Sequence, residues 1–254
     1  MNRDWLYKTL LRASLDRPLI LHLDILGIIG LGNTVRDCLM MFESILVDVA
    51  KKGGTILVPC FSYSYTKGEM YNPQLTSSQV GHVSEFLRQS GKARRTLDGL
   101  FSYLVFGPNV DPRHFEVTDF ASMGANGLMA ELYDKNAHVG AIGNVLHEMT
   151  EAHHLEWREE VSYRFDKTFT GQIDINSEIY DQTIVFFCRD LDLGRGADFR
   201  RLILYMRDKG IVESHLSNDQ RMLVEYVPYQ LVHRSVKELL HEDSWSLTKR
   251  IDND

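Results

Sequence analysis

The chain is 254 residues long, 44% hydrophobic and carries a formal net charge of −7, which is enough apolar length for one sizeable α/β domain and excludes the basic footprint of a nucleic-acid binder. Its three scattered cysteines, Cys38, Cys60 and Cys188, exclude a disulfide framework and the paired spacing of a zinc site, so a reducing compartment fits best. The charged start MNRDWLYKTLLRASLDRP and the lack of any run of about 18 apolar residues lead us to expect a cytoplasmic, unprocessed protein without membrane insertion.

Pro18 ends a short leading helix, and PLILHLDILG at 18–27 reads as a strand buried on both faces of a parallel sheet. GIIGLGN at 27–33 lacks the GxGxxG spacing and reads as a tight connection rather than a phosphate loop. TVRDCLMMFESILVDVAKK at 34–52 has apolar residues at helical spacing and stops at Lys-Lys-Gly-Gly. GGTILVPCFSYSY at 53–65 is a second strand, completing a βαβ unit whose ligand cleft belongs at the carboxyl ends of its strands. Residues 66–79 form a polar surface loop, and SSQVGHVSEFLRQSG at 77–91 resumes helical periodicity behind a Ser/Thr cap. Arg94 and Arg95, next in line, read as solvated surface. GLMAELYDKNAHVGAIGNV at 127–145 is a helix running into a strand that ends near Gly143, and a helix restarts over 150–160. The last third holds a strand at 183–193, an amphipathic helix at 197–210, and a strand then a helix over 221–243. No linker, repeat or low-complexity tract divides the chain, so the expectation is one domain over 1–254, a three-layer α/β/α fold with a largely parallel central sheet.

The segment TEAHHLE at 150–156 is the candidate for chemistry, although an ordinary helix start with a solvated Glu156 would show the same pattern. Thr150 stands where an N-cap belongs, which places His153 in the first helical turn, where the positive end of the helix dipole disfavours imidazolium and keeps the ring neutral. A neutral imidazole is what a general base requires. Glu156, one turn on and on the same face, can hold the ring's other nitrogen and stabilise the imidazolium as it forms. His154 points about 100° away, so both histidines cannot face one pocket. Metal binding by His147, Glu148, His153 and His154 is the rival, but HExxH requires histidine at 151, where the chain has glutamate. Cys60 at a strand end reads as a small apolar filler rather than a nucleophile.

GGTILVPCFSYSY at 53–65, SSQVGHVSEFLRQSGKARRTLDGLFSYLVFG at 77–107 and VGAIGNVLHEMTEAHHLEWREEVSYRF at 139–165 resemble the aminoglycoside 3-N-acetyltransferases, the antibiotic N-acetyltransferase family. The C-terminal third is similar in layout as well. The resemblance implies acetyl-CoA or another acyl-CoA as co-substrate, no metal, and transfer of the acyl group to an amine. The family's Thr-x-x-His-x-x-Glu segment carries over to Thr150, His153 and Glu156, with His153 as base. Its first loop, at His22, Leu23, Asp24 and Ile25, is implied to line the thioester end of the coenzyme, with Ser102 nearby and backbone amides of 23–25 as donors to the developing oxyanion. Two departures stand out. The family's serine pair after its histidine is Leu23-Asp24 here, and its His-Pro pair is Leu97-Asp98, while Ser102 and Gly107 remain.

The function expected is a coenzyme A-dependent N-acyltransferase working by direct attack on the thioester. Its partner is a small-molecule amino-sugar acceptor, either a cationic aminoglycoside or an amino sugar bound for a surface polysaccharide. A homo-oligomer is compatible with the sequence. The alternatives are a non-catalytic ligand- or partner-binding relative on the same scaffold, and a His-cluster metal hydrolase.

Overall fold

The structure is a computed structural model and describes residues 2–251. Helix α1 (Asn2–Ser14) buries Leu6, Leu10 and Ala13, spaced four and three residues apart on one face. Strand β1 (Leu19–Leu23) is shorter than the sequence suggests, because Asp24 Oδ1 accepts from the Gly27 N–H at 2.7 Å and caps a one-turn helix, α2 (Ile25–Ile28). Gly27 lets this turn sit against the sheet, since a Cβ there would stand 2.5 Å from the Ile142 carbonyl oxygen. Helix α3 (Val35–Lys51) opens with a reciprocal capping box between Thr34 and Asp37. Strand β2 (Ile56–Pro59), helix α4 (His82–Ser90), the two-residue strand β3 (Arg94–Arg95) and strand β4 (Tyr103–Phe106) follow.

The second half begins with β5 (Phe120–Ala121), α5 (Leu128–Asp134), β6 (His138–Ile142) and α6 (Ala152–Arg158). Two long strands, β7 (Arg164–Ile175) and β8 (Glu178–Arg189), then pair along their whole length. Residues 164–182 held no expected element, although the turn is legible: Asn176 and Ser177 both have positive φ, 53° and 72°, the twist that suits a two-residue hairpin. Tyr65 packs against the backbone of Gly171, where a Cβ would lie 2.2 Å from its ring. The chain ends through β9 (Arg195–Ala197), α7 (Arg200–Asp208), β10 (Glu213–Leu216), β11 (Leu223–Pro228), α8 (Tyr229–Glu242) and β12 (Thr248–Arg250).

Seven strands form the central sheet in the order β10-β11-β6-β1-β2-β4-β3. The three at its centre, β6, β1 and β2, run parallel, and the strands on either side are added antiparallel. Alternation along each strand feeds two cores. Leu19, Leu21, Ile56, Val58, Leu104 and Phe106 pack with α1, α3 and α4 on one face. Ile20, Leu57, Tyr103, Val105, Val139 and Ala141 pack with α5 to α8 and the hairpin on the other. His22, two residues from Ile20, therefore turns to this second face. Helices on both faces make the expected three-layer α/β/α arrangement. Among the described residues no single helix is long and apolar enough to cross a membrane.

Arg95 is not solvated surface. It is 7% exposed, and its guanidinium donates to the carbonyls of Cys60 and Thr76 and to Ser102 Oγ, tying three loops together at the sheet edge. Burial also pushes the Cys60 thiol up, which makes it a poor nucleophile and agrees with its reading as filler.

Candidate active site

The turn into α6 differs from the expected one. Thr150 is not the cap: the residue preceding the helix is Glu151, in helical conformation and without a side-chain cap bond. Thr150 instead accepts the His153 N–H with its backbone carbonyl at 3.0 Å. His153 is thus the second residue of α6, and its Nδ1 meets Glu156 Oε2 at 2.7 Å, the pairing that an i, i+3 spacing allows. Beside a carboxylate this nitrogen carries the proton, which leaves Nε2 as the basic atom. Among the described residues Nε2 has no protein partner; it is not sealed from solvent, and the ring lines a cleft of about 400 Å³ with His147, Thr150, Asp198, Phe199, Arg200 and Lys249.

Glu156 is fully buried and held from three sides. Tyr163 Oη donates to its Oε1 at 2.9 Å, and Arg164 Nε stands 2.7 Å from Oε2 as an ion pair out of line for a hydrogen bond. Burial alone would push the carboxyl up, but its bond to His153 and the charges of His153 and Arg164 leave it below its ordinary range. His153 is lowered in turn, first by burial and then by the Arg164 guanidinium, against the opposing pull of Glu156. The ring is therefore neutral near pH 7, lowered by burial and by an arginine eight residues past Glu156, in the same direction as the field expected at its place in the first turn of α6.

A second cavity of about 320 Å³ opens at the carboxyl ends of β1 and β2 and the loop after β6. His22, Leu23, Asp24, Pro59, Phe61 and Val145 line it, and it shares Thr150 and Glu148 with the first. Parallel strands are expected to place a ligand cleft there. His22 is 7% exposed, and its Nε2 meets Glu151 Oε2 at 2.7 Å. Glu151 is itself fully buried, with Tyr103 Oη donating to Oε1 at 2.9 Å and Tyr229 Oη to its backbone carbonyl at 2.6 Å.

The structure thus gathers Thr150, His153, His22, Leu23 and Asp24 around two adjoining cavities, with Glu156 buried behind His153. Ile25 is half-buried in α2 and packs on the α3 side of the sheet. Ser102 is not brought to either cavity: it is fully buried, donating to the Cys60 carbonyl at 2.7 Å and accepting from Arg95. Asp98 builds a turn, accepting from the Leu100 and Phe101 amides and Ser122, and neither it nor Leu97 lines the two cavities. His154 is interior. Its Nδ1 contacts the Met123 carbonyl at 2.7 Å, its ring stacks on Trp157, and burial pushes it down to about 4. The four residues of the metal reading are accordingly scattered in role, and among the described residues no three His, Cys, Asp or Glu side chains are grouped to hold an ion. Sequence reasoning missed Tyr163, Arg164 and Tyr103, because each reaches the site across a loop or from another strand, and it missed the role of Glu151 because its partners His22 and Tyr103 come from distant strands.

His154→Ala should cost about 2 to 4 kcal/mol of stability by opening a core cavity, while kcat per folded molecule stays unchanged. Urea unfolding checks this, and an unaltered midpoint would contradict the interior placement. Because the folded-state value of His154 lies below the ordinary 6.5, its favourable contribution is complete above that pH and is lost as pH falls toward 4.

The family model described as aminoglycoside 3-N-acetyltransferase matches residues 38–234. Among solved structures, the aminoglycoside acetyltransferase AAC(3)-Xa is similar over 94% of this chain and 92% of its own, with 17% identity and a TM-score of 0.71. AAC-IIIb in binary complex with CoASH is similar over 94% and 96%, with 17% identity and a TM-score of 0.72. AAC-VIa bound to sisomicin is similar over 94% and 97%, with 13% identity and a TM-score of 0.73. At such identities these likenesses concern the fold. A comparison with curated protein sequences finds no match.

Proposed function

The chain belongs to the aminoglycoside 3-N-acetyltransferase family, whose activity is acyl-CoA-dependent N-acetyl transfer, and from that premise we propose that it acylates a primary amine of an amino sugar with His153 as general base. The observation that carries this reading is the placement of His153 Nε2 in one cavity and His22, Leu23 and Asp24 in the next, with Thr150 on their shared wall. The amine occupies the His153 side. His153 Nε2 takes its proton as it attacks the thioester, and Glu156 stabilises the imidazolium that results. Proximity supplies much of the rate, and no covalent enzyme intermediate is needed. The coenzyme's thioester end occupies the second cavity, whose walls of Leu23, Pro59, Phe61, Tyr63, Val80 and Val145 suit an aliphatic pantetheine arm. Both cavities meet on one sheet, which supports the whole chain acting as a single domain.

The acceptor side mixes signs. Glu148 and Asp198 face it together with Arg200 and Lys249, and Arg200 is paired with Asp198 at 2.5 Å. A site built solely for a polycation would gain nothing from Lys249. This balance favours an acceptor bearing an anionic group beside its amine, such as a nucleotide-linked amino sugar on its way to a surface polysaccharide, over a drug such as the sisomicin bound by AAC-VIa.

Release of free thiol from acetyl-CoA tests the reading, with a panel holding sisomicin and a uridine-diphosphate-linked amino sugar. Amine-dependent thiol release is expected, with the larger kcat/KM on the nucleotide-linked sugar. Lack of amine-dependent release across such a panel would leave only a binding protein. Preference for sisomicin would overturn the acceptor class alone.

A further inference from the structure

Two histidine–carboxylate pairs flank the start of α6, and the chemistry above uses only one. The other, His22 with Glu151, has the same 2.7 Å contact and lies against the opposite substrate. Glu151 is 0% exposed, and its carboxylate is met by two side chains among the described residues, His22 through Nε2 and Tyr103 through Oη. A carboxylate sealed from water is costly unless its oxygens are hydrogen-bonded or paired, and among the described residues the His22 ring is the ion-pair partner within reach. Burial pushes Glu151 up, but the charge and bond of His22 outweigh it, so the carboxyl stays below its ordinary range and acts as an acceptor. His22 Nε2–H is then the donor in the pair.

Nδ1 is the nitrogen that remains. Among the described residues it has no hydrogen-bond partner, and it is not sealed from solvent, while the ring lines the thioester cavity. The walls around it are mostly apolar, and Asp24 Oδ1 is engaged by the Gly27 N–H. A thiolate expelled against such walls is poorly solvated, so a proton donor in the wall lowers the cost of breaking the carbon–sulfur bond.

Resting on the acyl-transfer reading, we propose that His22 is a second catalytic residue, the general acid whose Nδ1–H protonates the departing coenzyme A sulfur, with Glu151 and Tyr103 as positioning residues behind it. The balance closes without any further reactant. The amine nitrogen bonds to the acyl carbon, and His153 Nε2 receives the amine's proton. The carbon–sulfur pair leaves with sulfur, which takes the proton from His22 and departs as free thiol. His22 regains a proton, and His153 returns one, through the open cavities. Acid and base thus stand on opposite sides of Thr150, one for each substrate.

The test compares acetyl-CoA with the selenoester of the same coenzyme, which expels a selenolate that needs no proton. His22→Gln can still bond Glu151 but cannot transfer a proton, so kcat should fall about 100-fold with acetyl-CoA and less than about 5-fold with the selenoester. KM for both donors should change little. Glu151→Gln keeps its bond to Tyr103 and should show the same donor-dependent pattern, about 10-fold with acetyl-CoA, because the carboxylate that accepts from His22 Nε2–H and orients the ring is gone. Equal losses on the two donors in both variants would reduce the pair to packing and overturn the acid role. A parent chain that releases no thiol with any amine would bring down the acyl-transfer reading itself and the acid role with it. Donor-independent losses in a working parent would remove only His22.

Discussion

His153→Ala should lower kcat by about 10³-fold while KM for acetyl-CoA changes little. The ring makes one hydrogen bond, to Glu156, and is partly open to the cleft, so its removal trims a wall without disturbing a core. The thioester cavity is lined by other residues, which is why coenzyme affinity should survive. Steady-state kinetics with acetyl-CoA check this, and a kcat within a few-fold of the parent would remove His153 from the chemistry. The pH profile offers a second reading of the same residue. Burial and Arg164 lower His153, so its basic form persists below the ordinary 6.5. The acid limb of kcat/KM in the parent is expected under that value, with activity falling as the ring protonates.

Glu156→Ala should be the most damaging substitution for stability, at about 3 to 5 kcal/mol, because it leaves the Arg164 guanidinium buried without its anion. Arg164 has a 5% exposed side chain, and among the described residues its one polar partner beyond Glu156 is the Phe187 carbonyl, to which it donates at 3.2 Å. Tyr163 Oη loses its acceptor in the same change. A fall in Tm of roughly 10 °C follows for a chain of this size, together with loss of activity from a ring no longer held in place. Glu156→Gln keeps a hydrogen-bond acceptor and should be milder. An unchanged Tm in Glu156→Ala would refute the buried cluster. Because Glu156 lies below its ordinary 4.5 in the folded state, its stabilisation is complete above that pH and is lost on acidification through its folded value.

Several features of the site could be read along the chain because they are local. An i, i+3 pair on a helix meets by geometry, so His153 and Glu156 were legible as a unit, and so was the divergence of His154. The paired buried strands on either side of α3 pointed to a cleft at their carboxyl ends, where a cavity opens. Three local readings failed for physical reasons. Asp24 prefers to cap α2 over extending β1, the turn before α6 needs no hydroxyl cap, and the alternation of the β7–β8 hairpin is hidden by polar residues on its exposed face.

The amino-acid sequence by itself determined most of the helices, the strands β1, β2, β6 and β11, and the histidine set beside its glutamate, which follow from periodicities of 3.6 and 2 or from neighbours within one turn, while the family was legible from the resemblance of whole segments. Only the tertiary structure decided what surrounds that pair. Arg164 and Tyr163 return to Glu156 after a loop, Tyr103 and His22 arrive from different strands to meet Glu151, and Ser102 and Arg95 turn inward to brace the sheet edge. Those contacts depend on strand register and on which face of the sheet each side chain meets, and no spacing along the chain encodes either one.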